Sequence, residues 1–121
     1  MSQEKYKNKF VIVYDTICDG EQCTKNEDNS IKLFDSYDKA FKEIFDDAHS
    51  MLSNRTDDEL EEYNDGITAD IVDNMGFVLE SGDVKAMELF FSAHPNANDN
   101  NEWVMLADEF IDGRKTIFVG Q

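Results

Sequence analysis

The segment from Thr56 to Gly76 does most to limit what this chain can become. Its apolar residues fall at Leu60, Tyr63, Ile67, Ile71 and Met75, steps of three and four that trace one stripe along a helix. Thr56, with Glu59 three residues on, fits a capping box and starts that helix at about Asp57. Gly76 is placed to end it in a left-handed conformation. Gly66 is its weak point, where the helix kinks or divides in two. The other side carries Asp57, Asp58, Glu61, Glu62, Asp65, Asp70 and Asp73, with no Lys or Arg among them. Such a helix needs a second layer to cover its apolar stripe, while its carboxylates point outward.

The strongest candidate for that layer is Phe10-Val11-Ile12-Val13-Tyr14, a β-branched and aromatic run that predicts a strand. Its continuity calls for burial on both faces or a central place in the sheet. Asp19-Gly20 and Asp28-Asn29-Ser30 are turn signals. Ile31-Lys32-Leu33-Phe34 is expected as the returning strand, and Glu21 to Lys25 fits a hairpin limb or a loop equally well. Asp35-Ser36-Tyr37-Asp38 supplies cap-type residues and first-turn acids. Apolar residues at Tyr37, Ala40, Phe41, Ile44, Phe45, Ala48, Met51 and Leu52 then predict a helix to about Leu52, with Phe41, Ile44 and Phe45 packed on the sheet. Its outer side is mixed at Lys39, Lys42 and Glu43 and acidic at Asp46 and Asp47.

Beyond the acidic helix, Phe77-Val78-Leu79 reads as a short extended piece. Ser81-Gly82-Asp83 caps a third helix from Val84 to about Ala93, with Val84, Met87, Phe90 and Phe91 inward, and Pro95 ends it. A polar loop follows over Asn96 to Asn101. Trp103 to Ala107 opens the last section, in which Met105 to Phe110 suits either strand or helix. Asp112-Gly113 is the best hairpin dipeptide, with Arg114 to Val119 as the final strand. The resulting fold class is α+β: an antiparallel sheet of about four strands, in β-β-α-α-α-β-β order, with helices packed on it. The expectation is one domain over residues 1–121, with a loose lead over 1–8.

Hydrophobic residues make up 40% of the chain, with nine Phe, four Tyr and one Trp, too apolar and aromatic for a disordered acidic tail. The formal net charge of −16 is large for 121 residues; self-repulsion of that order costs stability, and solubility or a basic partner would explain it. The charge is uneven. Residues 1–43 hold seven Lys/Arg and nine Asp/Glu, a net of −2, whereas 44–121 hold four and eighteen, a net of −14. No apolar run approaches eighteen residues, and the N-terminus lacks a signal-peptide core. The expected location is the cytoplasm, where Cys18 and Cys23 stay reduced.

Little in the sequence suggests chemistry. Calcium loops need oxygen ligands at alternate positions with Gly sixth. The frame ending at Gly20 puts Ile17 third, and that ending at Gly66 puts Tyr63 third, so neither is an EF-hand. Cys18-x4-Cys23 has an unusual spacing for zinc, with His49 and His94 far off. A four-residue loop between the two thiols would instead let them form a disulfide on oxidation. Asp46, Asp47 and His49 could seat a general base, yet a His at the end of a helix is electrostatically at home. There is no Gly-rich phosphate loop, nucleophile elbow or His-Glu-x-x-His string. No cofactor, metal or catalytic residue is therefore assigned, although a small hydrolase using His49 or His94 stands as a third reading. Trp103, Phe110 and Phe118 are read as core, and any of them exposed would mark a docking hot spot.

Carboxylates four apart on a helix lie about 6 Å apart along its axis, close to the spacing of phosphates on a nucleic-acid strand. A rigid row of them can occupy a groove whose Lys and Arg otherwise hold phosphate by charge. The expectation is a non-enzymatic inhibitor or regulator. It binds a basic nucleic-acid-binding protein through Asp46, Asp47, Asp57, Asp58, Glu61, Glu62, Asp65, Asp70 and Asp73, and contacts neither nucleic acid nor membrane itself. In size and charge the chain resembles the small acidic inhibitors encoded by bacteriophages, among them DNA-mimicking anti-restriction and anti-CRISPR proteins. Those proteins share no fold, so the resemblance implies a mode of action and assigns no residue a role. The alternative is a structural or self-associating domain, a homodimer for example, whose charge serves solubility.

Overall fold

A computed structural model describes residues 6–16, 20–98 and 101–111. They form an α+β protein with a three-stranded antiparallel sheet. Contacts divide the chain into two compact units, 1–41 with 102–121 and 42–101, and the division falls between Phe41 and Lys42.

The first unit holds the sheet, built from β1 (Phe10–Thr16), β2 (Gly20–Cys23) and β3 (Trp103–Leu106) in the order β2-β1-β3. Val13 pairs with Cys23 on one side and with Trp103 on the other. β1 is thus central, and Val11, Ile12 and Val13 are all buried, as its unbroken apolar run requires. Val11, Val13, Cys23, Ala107 and Phe110 form a core, with Trp103 packed against it.

The segment Ile31–Phe34 is not a full strand. It makes two isolated pairings, Phe34 with Phe10 of β1 and Ile31 with Lys25 just beyond β2. The reason is the tight turn ahead of it. Asn29 takes a positive φ of 71°, and the Asp28 carboxylate accepts hydrogen bonds from the Ser30 amide and hydroxyl. Those bonds hold the Asp28 carboxyl below the usual range and commit the chain to a local loop. Residues 107–111 turn helical straight after β3. Cys18, the Asp112-Gly113 turn, the strand from Arg114 to Val119 and Phe118 lie outside the described residues.

α1 (Tyr37–Ser53) opens with the Ser36 hydroxyl accepting the Lys39 amide. Tyr37 stacks on Phe41 and meets Phe10 of β1 edge-on, at ring separations of 5.8 and 6.4 Å. Those two aromatics serve the first unit. Phe45, one turn on, belongs to the second.

The second unit is helical: α2 (Asp57–Tyr63), α3 (Ala69–Ser81), α4 (Val84–Ala93) and a 3-10 turn at Pro95–Ala97 complete it. Phe45 lies between Phe90 and Phe91 of α4, at ring separations of 5.6 and 5.0 Å. Leu60, Ile67, Val72, Met75, Val84 and Met87 of this unit are buried as well. α4 spans the residues its cap signal marks, with the Asp83 carboxylate accepting the Lys85 and Ala86 amides.

The expected single acidic helix is two. Gly66 adopts φ 86° and Thr68 starts α3 afresh, its hydroxyl accepting the Ile71 amide. The break shifts the helical register. Tyr63, expected in the apolar stripe, is 60% exposed, whereas Val72 is buried. Gly76 does not end the helix either. It lies inside α3, which continues through Phe77, Val78 and Leu79 to Ser81, so that segment is helical and not extended. Gly82, at φ 70°, is the left-handed terminator, its amide bonding the Leu79 carbonyl.

The capping box at Thr56 and Glu59 is complete. The Glu59 carboxylate accepts the Thr56 amide at 3.0 Å, a bond that holds its pKa below the ordinary 4.5. A carboxyl depressed on folding stabilises most above its unfolded pKa and loses that contribution as pH falls through the folded value. Glu59→Ala is therefore expected to lower the melting temperature by a constant amount from neutral pH down to about 4.5. The gap to the native chain should close below that. A gap that widens in acid would count against this role for the carboxylate.

Candidate acidic docking face

The expected binding residues all fall in the helical unit. Asp46 and Asp47 lie on α1, Asp57, Asp58, Glu61 and Glu62 on α2, Asp65 in the turn after it, and Asp70 and Asp73 on α3. Every one of the nine is exposed. Residues 42–101 carry three Lys/Arg and fifteen Asp/Glu, a net of −12, against −4 for the rest of the chain. The charge imbalance therefore belongs to this unit.

Three adjoining depressions lie along α2 and α3. The first, of about 430 Å³, has Leu60 and Ile67 in its lining and Asp57, Glu61 and Asp70 around it. The second, of about 150 Å³, shares Asp57 and Leu60 with the first and extends to Asp73. The third, of about 440 Å³, shares Asp73 with the second and reaches His49, Phe77 and Glu80. The break at Gly66 thus replaces one straight carboxylate row with a track that passes from α2 across to α3. Asp58, Glu62, Asp65, Asp46 and Asp47 are exposed in the same unit but line none of these hollows.

Between Lys42 and Lys85 the sequence has one cation, Arg55. It lines the middle depression with Asp57 and Asp73, and it is also tied down. Its guanidinium donates to the Asn64 side-chain oxygen and lies over the Tyr63 ring, 5.5 Å from the centroid. Tyr63, displaced from the core by the helix break, finds this use instead.

Asn64 is the structural residue that periodicity misses. It is fully buried, and its amide nitrogen donates to the Asn96 carbonyl at 3.1 Å. Asn96 returns the link through its own side chain, donating to the Asp65 carbonyl at 2.6 Å. Two asparagines thereby pin the turn between α2 and α3 to the 3-10 turn. Asn64 directly precedes Asp65-Gly66, so a cap role at a helix end was the available signal.

The histidines take structural contacts. His49 lies 3.3 Å from the Ser53 hydroxyl through Nε2, and His94 packs on Phe90 at 4.9 Å. Phe110 is buried and Trp103 half-buried, as core residues of the first unit. Among the described residues no group of three His, Cys, Asp or Glu is placed to hold a metal ion. No helix among them is long and apolar enough to cross a membrane. Compared with protein-family models, curated proteins and solved structures, the chain matches none of them.

Proposed function

We propose that this protein is a non-enzymatic acidic inhibitor or regulator acting in the cytoplasm. It docks the α2–α3 face on a basic, nucleic-acid-binding protein and excludes that partner's nucleic acid by charge and bulk. The observation that carries this reading is the set of exposed carboxylates around adjoining hollows on α2 and α3, in a unit of net charge −12. Within α2, the pairs Asp57/Glu61 and Asp58/Glu62 keep the four-residue step, about 6 Å along the axis. An array of that kind competes for the Lys and Arg that hold phosphate. The size and charge of phage-encoded inhibitors accord with the same mode of action.

The test is capture from a host lysate on the tagged chain, eluted with rising salt and identified by mass spectrometry. A basic nucleic-acid enzyme released at moderate salt is the expected result, because exposed charge pairs are screened within about 8 Å at physiological ionic strength. The alternative of self-association is favoured by Phe77 and Leu89, exposed at 69% and 62%. An apolar contact between copies would survive the salt that releases a basic partner. Recovery of the chain alone, at every salt concentration, would therefore replace the docking reading with self-association.

A further inference from the structure

Asp73, Phe77 and Glu80 stand four and three residues apart on α3. At about 100° per residue they share one face of the helix, within roughly 60° of one another. Phe77 is the most exposed large apolar side chain among the described residues. Phe77 is not engaged in ring stacking, and neither Asp73 nor Glu80 takes part in an ion pair or side-chain hydrogen bond among those residues. All three line the depression of about 440 Å³ that His49 and Gly76 complete. Gly76 lets α3 and His49 approach closely beside this hollow. A Cβ there would come within 3.3 Å of His49 Nε2, so the absence of a side chain lets the imidazole lie against α3.

An aromatic face between two carboxylates is a receptor for a flat cation. The ring attracts positive charge over its face, and a guanidinium stacks there better than a compact ammonium because it is planar and more weakly hydrated. The carboxylates on either side accept its N–H groups, the geometry that favours arginine over lysine. Deepening the docking reading, on which it rests, we infer that the Asp73–Phe77–Glu80 hollow takes an arginine side chain of the basic partner. The acid track on α2 then supplies attraction that does not distinguish one cation from another. This hollow supplies selectivity for arginine and fixes where along the partner the face seats. The depression adjoins the hollows flanked by the α2 acids, with Asp73 lining both it and its neighbour, so one basic segment can engage both.

The experiment titrates the full chain with an arginine homopeptide and a lysine homopeptide of equal length, at moderate salt, following backbone amides by NMR. The native chain is expected to bind the arginine peptide about threefold more tightly, the scale of an exposed cation–π contact, with the amides of Gly76 and Phe77 shifted. Phe77→Leu keeps apolar bulk at an exposed helical position and removes the aromatic face. It should remove most of the arginine preference and change lysine-peptide binding less, leaving only the part that Asp73 and Glu80 supply. Asp73→Asn with Glu80→Gln should weaken both peptides, the arginine one more. Equal affinities in the native chain, or an arginine preference that is undiminished in Phe77→Leu, overturn the arginine site and leave the docking reading standing. Failure of both peptides to bind even at low salt overturns the two together.

Discussion

Reversing Glu61, Glu62, Asp65 and Asp73 to lysine is expected to weaken capture of the basic partner by about a hundredfold or more while the chain stays folded. The choice of positions follows from the helices. Asp57 and Asp58 sit in the first turn of α2 and Asp70 in the first turn of α3, where a negative charge stabilises the helix and a positive one opposes its dipole. Reversal there would confuse lost binding with lost folding. Glu61 and Glu62 sit in the last turn of α2, where lysine suits the dipole better than glutamate does. Asp65 lies in the exposed turn, and Asp73 beyond the first turn of α3. Four reversals of two charges each halve the net charge of −16, which relieves self-repulsion in the folded state. The variant should therefore melt no lower than the native chain at low salt.

The magnitude comes from counting contacts. An exposed ion pair contributes about 0.2–1 kcal/mol, and a like-charge contact costs a similar amount. Each reversal replaces the first with the second, so four together remove about 2–8 kcal/mol, and at 1.4 kcal/mol per tenfold a hundredfold loss needs about 3 of that. Charge should act first on association, so the loss is expected in the on-rate and in the salt dependence before the off-rate. A reversed chain that still captures its partner with unchanged salt dependence would remove this face from the mechanism. A chain that loses binding because it has unfolded would show itself in its circular dichroism.

Helix starts in this chain are legible in the sequence because capping is local chemistry. Thr56 with Glu59, and Asp83 ahead of Val84, name their own hydrogen-bond partners within three residues. β1 is legible as the central strand for a similar reason: three successive buried residues leave no polar side to face water. Helix ends are less legible, since a glycine can stop a helix or sit within one. Gly76 and Gly82 both lie where a left-handed terminator would serve, and tertiary packing decides between them. His49 packs beside Gly76, whereas Gly82 has space and adopts the positive φ.

The α2–α3 division illustrates the same limit at the site itself. A periodic stripe from Leu60 to Met75 survives in composition even when the helix breaks, because Leu60, Ile67 and Met75 are buried on either side of the turn. What periodicity cannot carry across the break is register, and with it the fate of Tyr63 and Val72. The nine acids are legible as exposed, since a chain with this few cations cannot bury them unpaired. The placing of four of them, Asp57, Glu61, Asp70 and Asp73, around adjoining hollows on α2 and α3 is not legible. It depends on how α3 restarts beside α2. Phe77 escapes notice for a related reason: within Phe77-Val78-Leu79 it resembles a strand residue, and only its place in α3 aligns it with Asp73 and Glu80.

Asn64→Ala is expected to destabilise the protein by about 2–4 kcal/mol, lowering the melting temperature by about 10 °C for a chain of this length. The substitution removes one hydrogen bond from each of two groups. The Asn96 carbonyl loses its donor, and the Arg55 guanidinium loses its acceptor. Asn64 itself is fully buried, so alanine also leaves a cavity, and each lost part-buried bond costs about 1–2 kcal/mol. Asn64→Asp separates the two losses. An aspartate still accepts from Arg55, with added charge, but it cannot donate to Asn96 and sets a carboxylate against that carbonyl. It should fall between the native chain and Asn64→Ala. Asn64→Leu fills the space, restores neither bond and should be no better than alanine. The consequence reaches function, because this residue holds the turn from which α2 and α3 both depart. At temperatures where Asn64→Ala remains folded, its partner binding should still weaken, since the two halves of the acid track are then no longer held in one arrangement. A melting temperature within about 3 °C of the native value would show that the Asn64–Asn96 link is incidental. The turn at Gly66 and the Thr68 cap would then be enough to fix the face.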